Sequence, residues 1–268
     1  MNQAIQARGP RLLPQRALRE TCVTGPPSSS PLQGASIVVT GAGGDIGRAI
    51  ARTLAGLGGR LCLVGRGTDR LDETAEGLVG PVESCPADLT CEQDVDALER
   101  AIRCSFGEHL DVLVHCAGVY NRAAMEQANI EDLDRQFEAN VSAPYRLTKR
   151  LLPMLKAAKG QIVFLNSTQG LRATATVGQY AATQHALTAI ADSLRDEVNE
   201  HGIRVLTIYS GRTATKRQEA IFRAEGRPYR PELLLQPQDL ADMIASCLTL
   251  PRTAEVTNLT MRPMIKSY

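Results

Sequence analysis

Apolar residues fall along this chain in short, nearly unbroken runs separated by longer amphipathic stretches. The runs lie at 36–40, 61–64, 82–85, 110–115, 161–165, 203–209 and 256–262. Most are continuously apolar rather than alternating, which is the pattern of strands covered by helices on both faces. Residues 48–57, 94–104, 133–155, 182–199 and 240–250 instead repeat apolar positions at helical spacing. Thr90, Cys91, Glu92 and Gln93 have the spacing of a capping box, which predicts a helix start there. Strand–helix alternation sustained this far predicts right-handed crossovers and a doubly wound α/β fold with a parallel sheet of about seven strands flanked by helices.

Residues 1–33 break the pattern. Arg8, Arg11, Arg16 and Arg19 stand against one acid, Glu20, and a Gly/Pro/Ser-rich stretch from Gly25 to Pro31 follows. This predicts a flexible arm ahead of a single domain at 34–268. An arginine-rich, acid-poor start is also the composition of a transit peptide, and that alternative stays open.

Composition then narrows the classes. The hydrophobic share is 43%, enough for a sizeable core, while aromatics make up 4% and tryptophan is absent. Val, Ile, Leu and Ala therefore fill the interior. The formal net charge of +1 gives no global field to draw nucleic acid or an anionic membrane. No run approaches the roughly 18 apolar residues of a membrane span. The seven cysteines are scattered, without a Cys-x-x-Cys pair, and several sit inside apolar runs. They read as reduced thiols of a cytoplasmic protein, and neither they nor the four histidines suggest a metal site.

Candidate chemistry begins directly after the first apolar run. Gly41, Gly43, Gly44 and Gly47, with Asp45 and Ile46 among them, lead from that run into the first helical stretch. Glycine there lets a backbone turn approach a pyrophosphate, and the helix N-terminus offers N–H groups and a positive dipole end. Asp45 is a carboxylate beside that diphosphate. Its expected role is to turn away and cap the helix.

The Thr40–Gly47 turn and the later sequence Tyr180-Ala181-Ala182-Thr183-Gln184 together resemble the short-chain dehydrogenase/reductase family, over roughly residues 35–265. The resemblance implies a Rossmann-type sheet and a nicotinamide cofactor. NAD-binding relatives place an acid near the end of the second strand, where this chain has Arg66, so NADP(H) is the expected cofactor. Asp88 and Leu89 resemble the family's adenine contact. Ala117 and Gly118 keep half of its Asn-Asn-Ala-Gly stretch, with His115 and Cys116 in place of the asparagines and their sheet-stabilising contacts. Gly211 and Thr213 follow the sixth run, Thr213 within reach of the carboxamide, and Ser210 stands where relatives carry proline.

For catalysis, the resemblance implies Tyr180 as acid–base residue, Ser167 as partner of the carbonyl oxygen, and Asn140 as seat of a relay water. Ser167 precedes Tyr180 by thirteen residues, the family's usual interval. Gln184 occupies the place of the family's lysine, one helical turn beyond Tyr180. A lysine there favours tyrosinate and lowers a pKa that is about 10 when unperturbed. Neutral glutamine keeps hydrogen-bonding capacity for the ribose and loses the charge. Losing a two-unit shift removes roughly 2.7 kcal/mol of bias, and general acid–base help of about 10²–10⁴-fold is at stake.

The expected function is therefore an NADPH-dependent oxidoreductase of carbonyl reductase or alcohol dehydrogenase type, attenuated by Gln184. The alternatives are a non-redox enzyme such as a cyclase, dehydratase or isomerase, a silent nucleotide-binding protein, or a lysine substituted at position 184. Residues 211–235 form the expected substrate lid, a long loop whose basic excess reads first as a solvated face and second as a site for an acidic substrate or carrier protein. The partners expected are a small-molecule substrate and further copies of the chain, as a homodimer or homotetramer built on helices 133–155 and 180–199.

Overall fold

Residues 30–265 are described by the computed structural model; residues 1–29 of the expected arm lie outside them. Every apolar run forms a strand: β1 Ser36–Thr40, β2 Arg60–Gly65, β3 Val82–Pro86, β4 Val112–His115, β5 Gln161–Ser167, β6 Arg204–Ser210 and β7 Asn258–Met261. The helices are α1 Asp45–Gly56, α2 Thr68–Ala75, α3 Glu92–Phe106, α4 Ile130–Phe137, α5 Ala143–Ala158, α6 Gly178–Val198, α7 Lys216–Ala224 and α8 Pro237–Leu248. All pairings are parallel, in the order β3-β2-β1-β4-β5-β6-β7.

Because side chains alternate across a strand, each strand feeds two cores. Val38, Cys62, Leu113, Ile162 and Phe164 pack with Ile102 of α3, Leu151 of α5 and Leu187 of α6. Ile37, Val39, Leu63, Val112 and Val114 pack with Ile50 and Leu54 of α1 and with Leu240 and Ile244 of α8. Covering on both faces is why the strands read as unbroken apolar runs. The chain runs outward from β1 to β3, then returns to add β4 on the other side of β1. That reversal opens a crevice at the carboxyl ends of β1 and β4, where ligands bind in doubly wound sheets.

Four local expectations change. The stretch 133–155 is not one helix: a π-helical turn at Glu138–Ser142 separates α4 from α5. An inserted residue leaves the apolar period nearly intact, so the pattern does not reveal it. The capping box at Thr90 does not form. The Thr90 hydroxyl donates to Asp88 Oδ1 at 2.7 Å, and Cys91 holds the cap position with no side-chain capping bond. The lid region contains α7 rather than being loop throughout. Finally, the last residues of the expected arm join the fold: Leu32 is buried and its N–H donates to Leu57 O at 3.0 Å.

Candidate active site

The glycine turn closes directly over the end of β1. Gly41 has φ 67°, and a Cβ there would meet Ala117 Cα at 2.8 Å, so the turn lies flush against the chain leaving β4. A Cβ on Gly47 would stand 2.2 Å from Gly41 O, which brings α1 against the turn more closely than a side chain permits. Thr40 Oγ1 locks the two strand ends, accepting from Cys116 N at 3.0 Å and Ala117 N at 3.2 Å. Gly44 caps α1 without a side chain, so the first N–H groups of α1 carry no side-chain acceptor. Ile46 anchors this turn in the core beneath.

Asp45 does not cap its own helix. Its Oδ2 accepts the backbone N–H of Lys216 at 2.8 Å, at the start of α7. Thr215 caps α7 from the other side, its hydroxyl oxygen accepting from Gln218 N. A carboxylate is favourable at that helix N-terminus.

Arg66 is exposed just beyond β2. Asp88 accepts from Thr90 N and Thr90 Oγ1, and these bonds, with Arg66 nearby, hold its carboxyl below the usual range. Leu89 is buried, and its carbonyl accepts from Arg146. Gly118 O accepts from Arg217 Nη2 at 2.7 Å. Gly211 N donates to Met261 O. Thr213 is buried, and its hydroxyl donates to Gly211 O at 3.1 Å, turned into the fold.

Tyr180 lies in the first turn of α6 and faces Ser167 at the end of β5. Burial pushes its hydroxyl pKa up; the Arg217 guanidinium and the Ser167 hydroxyl pull against burial, and Tyr120 adds to it. The rings of Tyr120 and Tyr180 meet edge-on, with centroids 4.9 Å apart. Asn140, in the π-helical turn, accepts from Val119 N at 2.8 Å and donates to Val119 O and Thr183 Oγ1. Gln184 is buried, its Nε2 donating to Thr183 Oγ1 at 3.3 Å, while the Thr183 hydroxyl donates to Tyr180 O. Tyr180, Gln184 and Asn140 thus share one hydrogen-bonded block, with Ser167 opposite.

One neighbour, Arg122, was not singled out in the sequence, while Arg212, Arg227 and Glu225 counted only toward the charge of residues 211–235. Arg122 and Arg212 converge with Arg227 on Glu225, and Arg122 also donates to Thr176 Oγ1. Their convergence carries no local signal, because 103 residues separate Arg122 from Glu225. His115 replaces one lost contact of its own accord: its Nε2 lies 2.8 Å from Thr148 Oγ1, tying β4 to α5.

Comparison with known proteins places the sequence and the fold among relatives. The profile of short chain dehydrogenases matches residues 35–226. An uncharacterized oxidoreductase of Staphylococcus epidermidis is 33% identical over 228 residues, covering 85% of this chain and 96% of that protein. The alcohol dehydrogenase of the archaeon Thermococcus sibiricus, complexed with 5-hydroxy-NADP, superposes with a TM-score of 0.78 at 27% identity, over 88% of this chain and 99% of that one. Actinorhodin polyketide ketoreductase with NADPH gives 0.79 at 25% identity, over 88% and 98%. On the match of both sequence and fold, the chain belongs to the short-chain dehydrogenase/reductase family of oxidoreductases.

Proposed function

We propose that this chain is an NADPH-dependent carbonyl reductase in which Tyr180 gives the proton and Ser167 steadies the carbonyl oxygen. The observation that carries the reading is the facing pair Ser167 and Tyr180 at the carboxyl ends of the strands, with the Tyr180 hydroxyl held protonated by burial. A protonated phenol is the form a reduction needs.

The glycine turn fits a dinucleotide. Its close packing leaves no side chain between the crevice and the first N–H groups of α1, which suits a diphosphate. The Asp45 carboxylate there is engaged by the Lys216 N–H. Arg66 is assigned to a 2′-phosphate, and both cofactor-bearing relatives above carry NADP-type cofactors. Arg66→Ala is expected to lower the ratio of NADPH to NADH affinity at least about tenfold, the scale of one lost charge-assisted contact. An unchanged ratio by calorimetry removes the assignment.

NADPH, when bound, would supply the hydride for the carbonyl carbon. Tyr180 Oη gives its proton to the oxygen, so a carbonyl becomes an alcohol. Gln184, in the place of the family's lysine, leaves the new tyrosinate without a neighbouring ammonium. This makes the native reaction slow. NADPH consumption over a panel of aldehydes and ketones tests the reading, with Gln184→Lys measured beside it. The expected result is slow native turnover that rises at least about tenfold in the lysine variant. No turnover in either protein, with NADPH bound, shifts the reading to a non-redox enzyme or a nucleotide-binding protein.

A further inference from the structure

We propose that the crevice beside Tyr180 takes a carbonyl substrate that also carries an anionic group, a carboxylate or a phosphate, seated by Arg217 with Arg122 and Arg212 behind it. This deepens the reductase reading and rests on it.

The mouth of the site is built from two segments distant in sequence, and both bring arginine. From the loop after β4, Arg122 reaches Thr176, four residues before Tyr180, and Glu225 at the end of α7. From the chain after β6, Arg212 binds the same carboxylate at 3.0 Å, and Arg227 reaches its other oxygen at 3.2 Å. Arg212 and Arg227 also lie over the Phe222 ring, 4.8 and 5.1 Å from its centroid, which fixes their planes. Glu225 is 12% exposed, and although burial works against its charge, Arg212 and Arg122 hold it ionised. One carboxylate thus serves three guanidiniums.

Arg217 enters from the first turn of α7, held by the carbonyl oxygen of Gly118 and with no carboxylate partner among the described residues. A carbonyl oxygen fixes a guanidinium's position without neutralising it, and one Nη2 bond leaves most of its five donors open. Its charge bears on the Tyr180 hydroxyl, and the charges of Arg122 and Arg212 bear on the hydroxyl of Tyr120, whose ring packs on Tyr180. Arg217 is solvent-accessible, and its charge also bears on the proton donor. A planar guanidinium there matches a carboxylate or phosphate in fork geometry. An anionic group on Arg217 would leave the adjoining carbonyl toward Ser167 and Tyr180.

Dead-end complexes test this without requiring turnover. Protein saturated with NADP+, which cannot reduce a ketone, is titrated by calorimetry with a short keto acid and with its methyl ester. A ketone phosphate and its unphosphorylated parent form the second pair. At least one anion is expected to bind about tenfold or more tighter than its neutral counterpart, and the pair that shows it tells carboxylate from phosphate. The preference should shrink as salt rises, by screening. Arg217→Met should bring anion and neutral partner within about twofold of each other, while Arg217→Lys keeps part of the difference. Melting curves confirm that both variants fold. Equal affinities in the native protein, no anion binding, or a preference undiminished in Arg217→Met would overturn the proposal. A clear anion preference with no reduction of any carbonyl would uphold it and count against the reductase reading instead.

Discussion

His115 shows how much a single buried side chain is set by its surroundings. Its ring stacks on Phe164 with centroids 4.9 Å apart, Nε2 meets Thr148, and Nδ1 has no partner. Burial drives its pKa down to about 3. In the unfolded chain the ordinary value is about 6.5. Between those two values the unfolded chain takes up a proton that the folded one refuses. Stability is therefore complete above about pH 6.5 and falls as the pH drops toward 3, by up to about 1.4 kcal/mol per pH unit. His115→Asn should flatten this fall, so its melting temperature should decline less than the native protein's between about pH 7 and pH 5. Parallel declines would show that His115 is protonated in the fold. At this scale the sequence disclosed the residues whose spacing is local: the glycines of the turn, and Ser167 with Tyr180. It could not disclose Thr148 as partner of His115, nor Arg217 beside Gly118, because those pairs are separated by 33 and 99 residues.

Helix α7 is the element that the sequence concealed. Among its residues Phe222 alone is buried, so there is no apolar stripe to read, and Gly226, Pro228 and Pro231 follow at once like a loop. Its start is stabilised from outside, by Asp45 in the glycine turn. That contact also links the glycine turn to α7. Asp45→Ala should fray α7, with its first-turn amides exchanging about two- to thirtyfold faster, the equivalent of a lost cap at about 0.5–2 kcal/mol. The amides of α1 should be unaffected. Faster exchange in α1 with α7 unchanged would mean that Asp45 caps its own helix after all. The break between α4 and α5 was hidden for a related reason. Within it the side chain of Asn140 bonds the backbone at Val119, across 21 residues.

For the whole molecule, strand order follows from physics that the sequence does carry. Unbroken apolar runs require cover on both faces, helices between parallel strands provide it, and right-handed crossovers then leave a crevice where the order reverses. The seven-stranded order and the superposition on family members agree with that reasoning. The crevice gathers groups from the ends of β1, β4, β5 and β6 and from α6 and α7, so its chemistry is a property of the assembled fold. The proposed reduction depends above all on Tyr180 as proton donor there. Its most direct test is carbonyl-dependent NADPH oxidation by the native protein and by Tyr180→Phe, with NADPH affinity measured on both. Affinities within a few-fold of each other are expected, with a loss of turnover of about a hundredfold or more in the phenylalanine variant. Equal turnover by the two proteins would contradict that role.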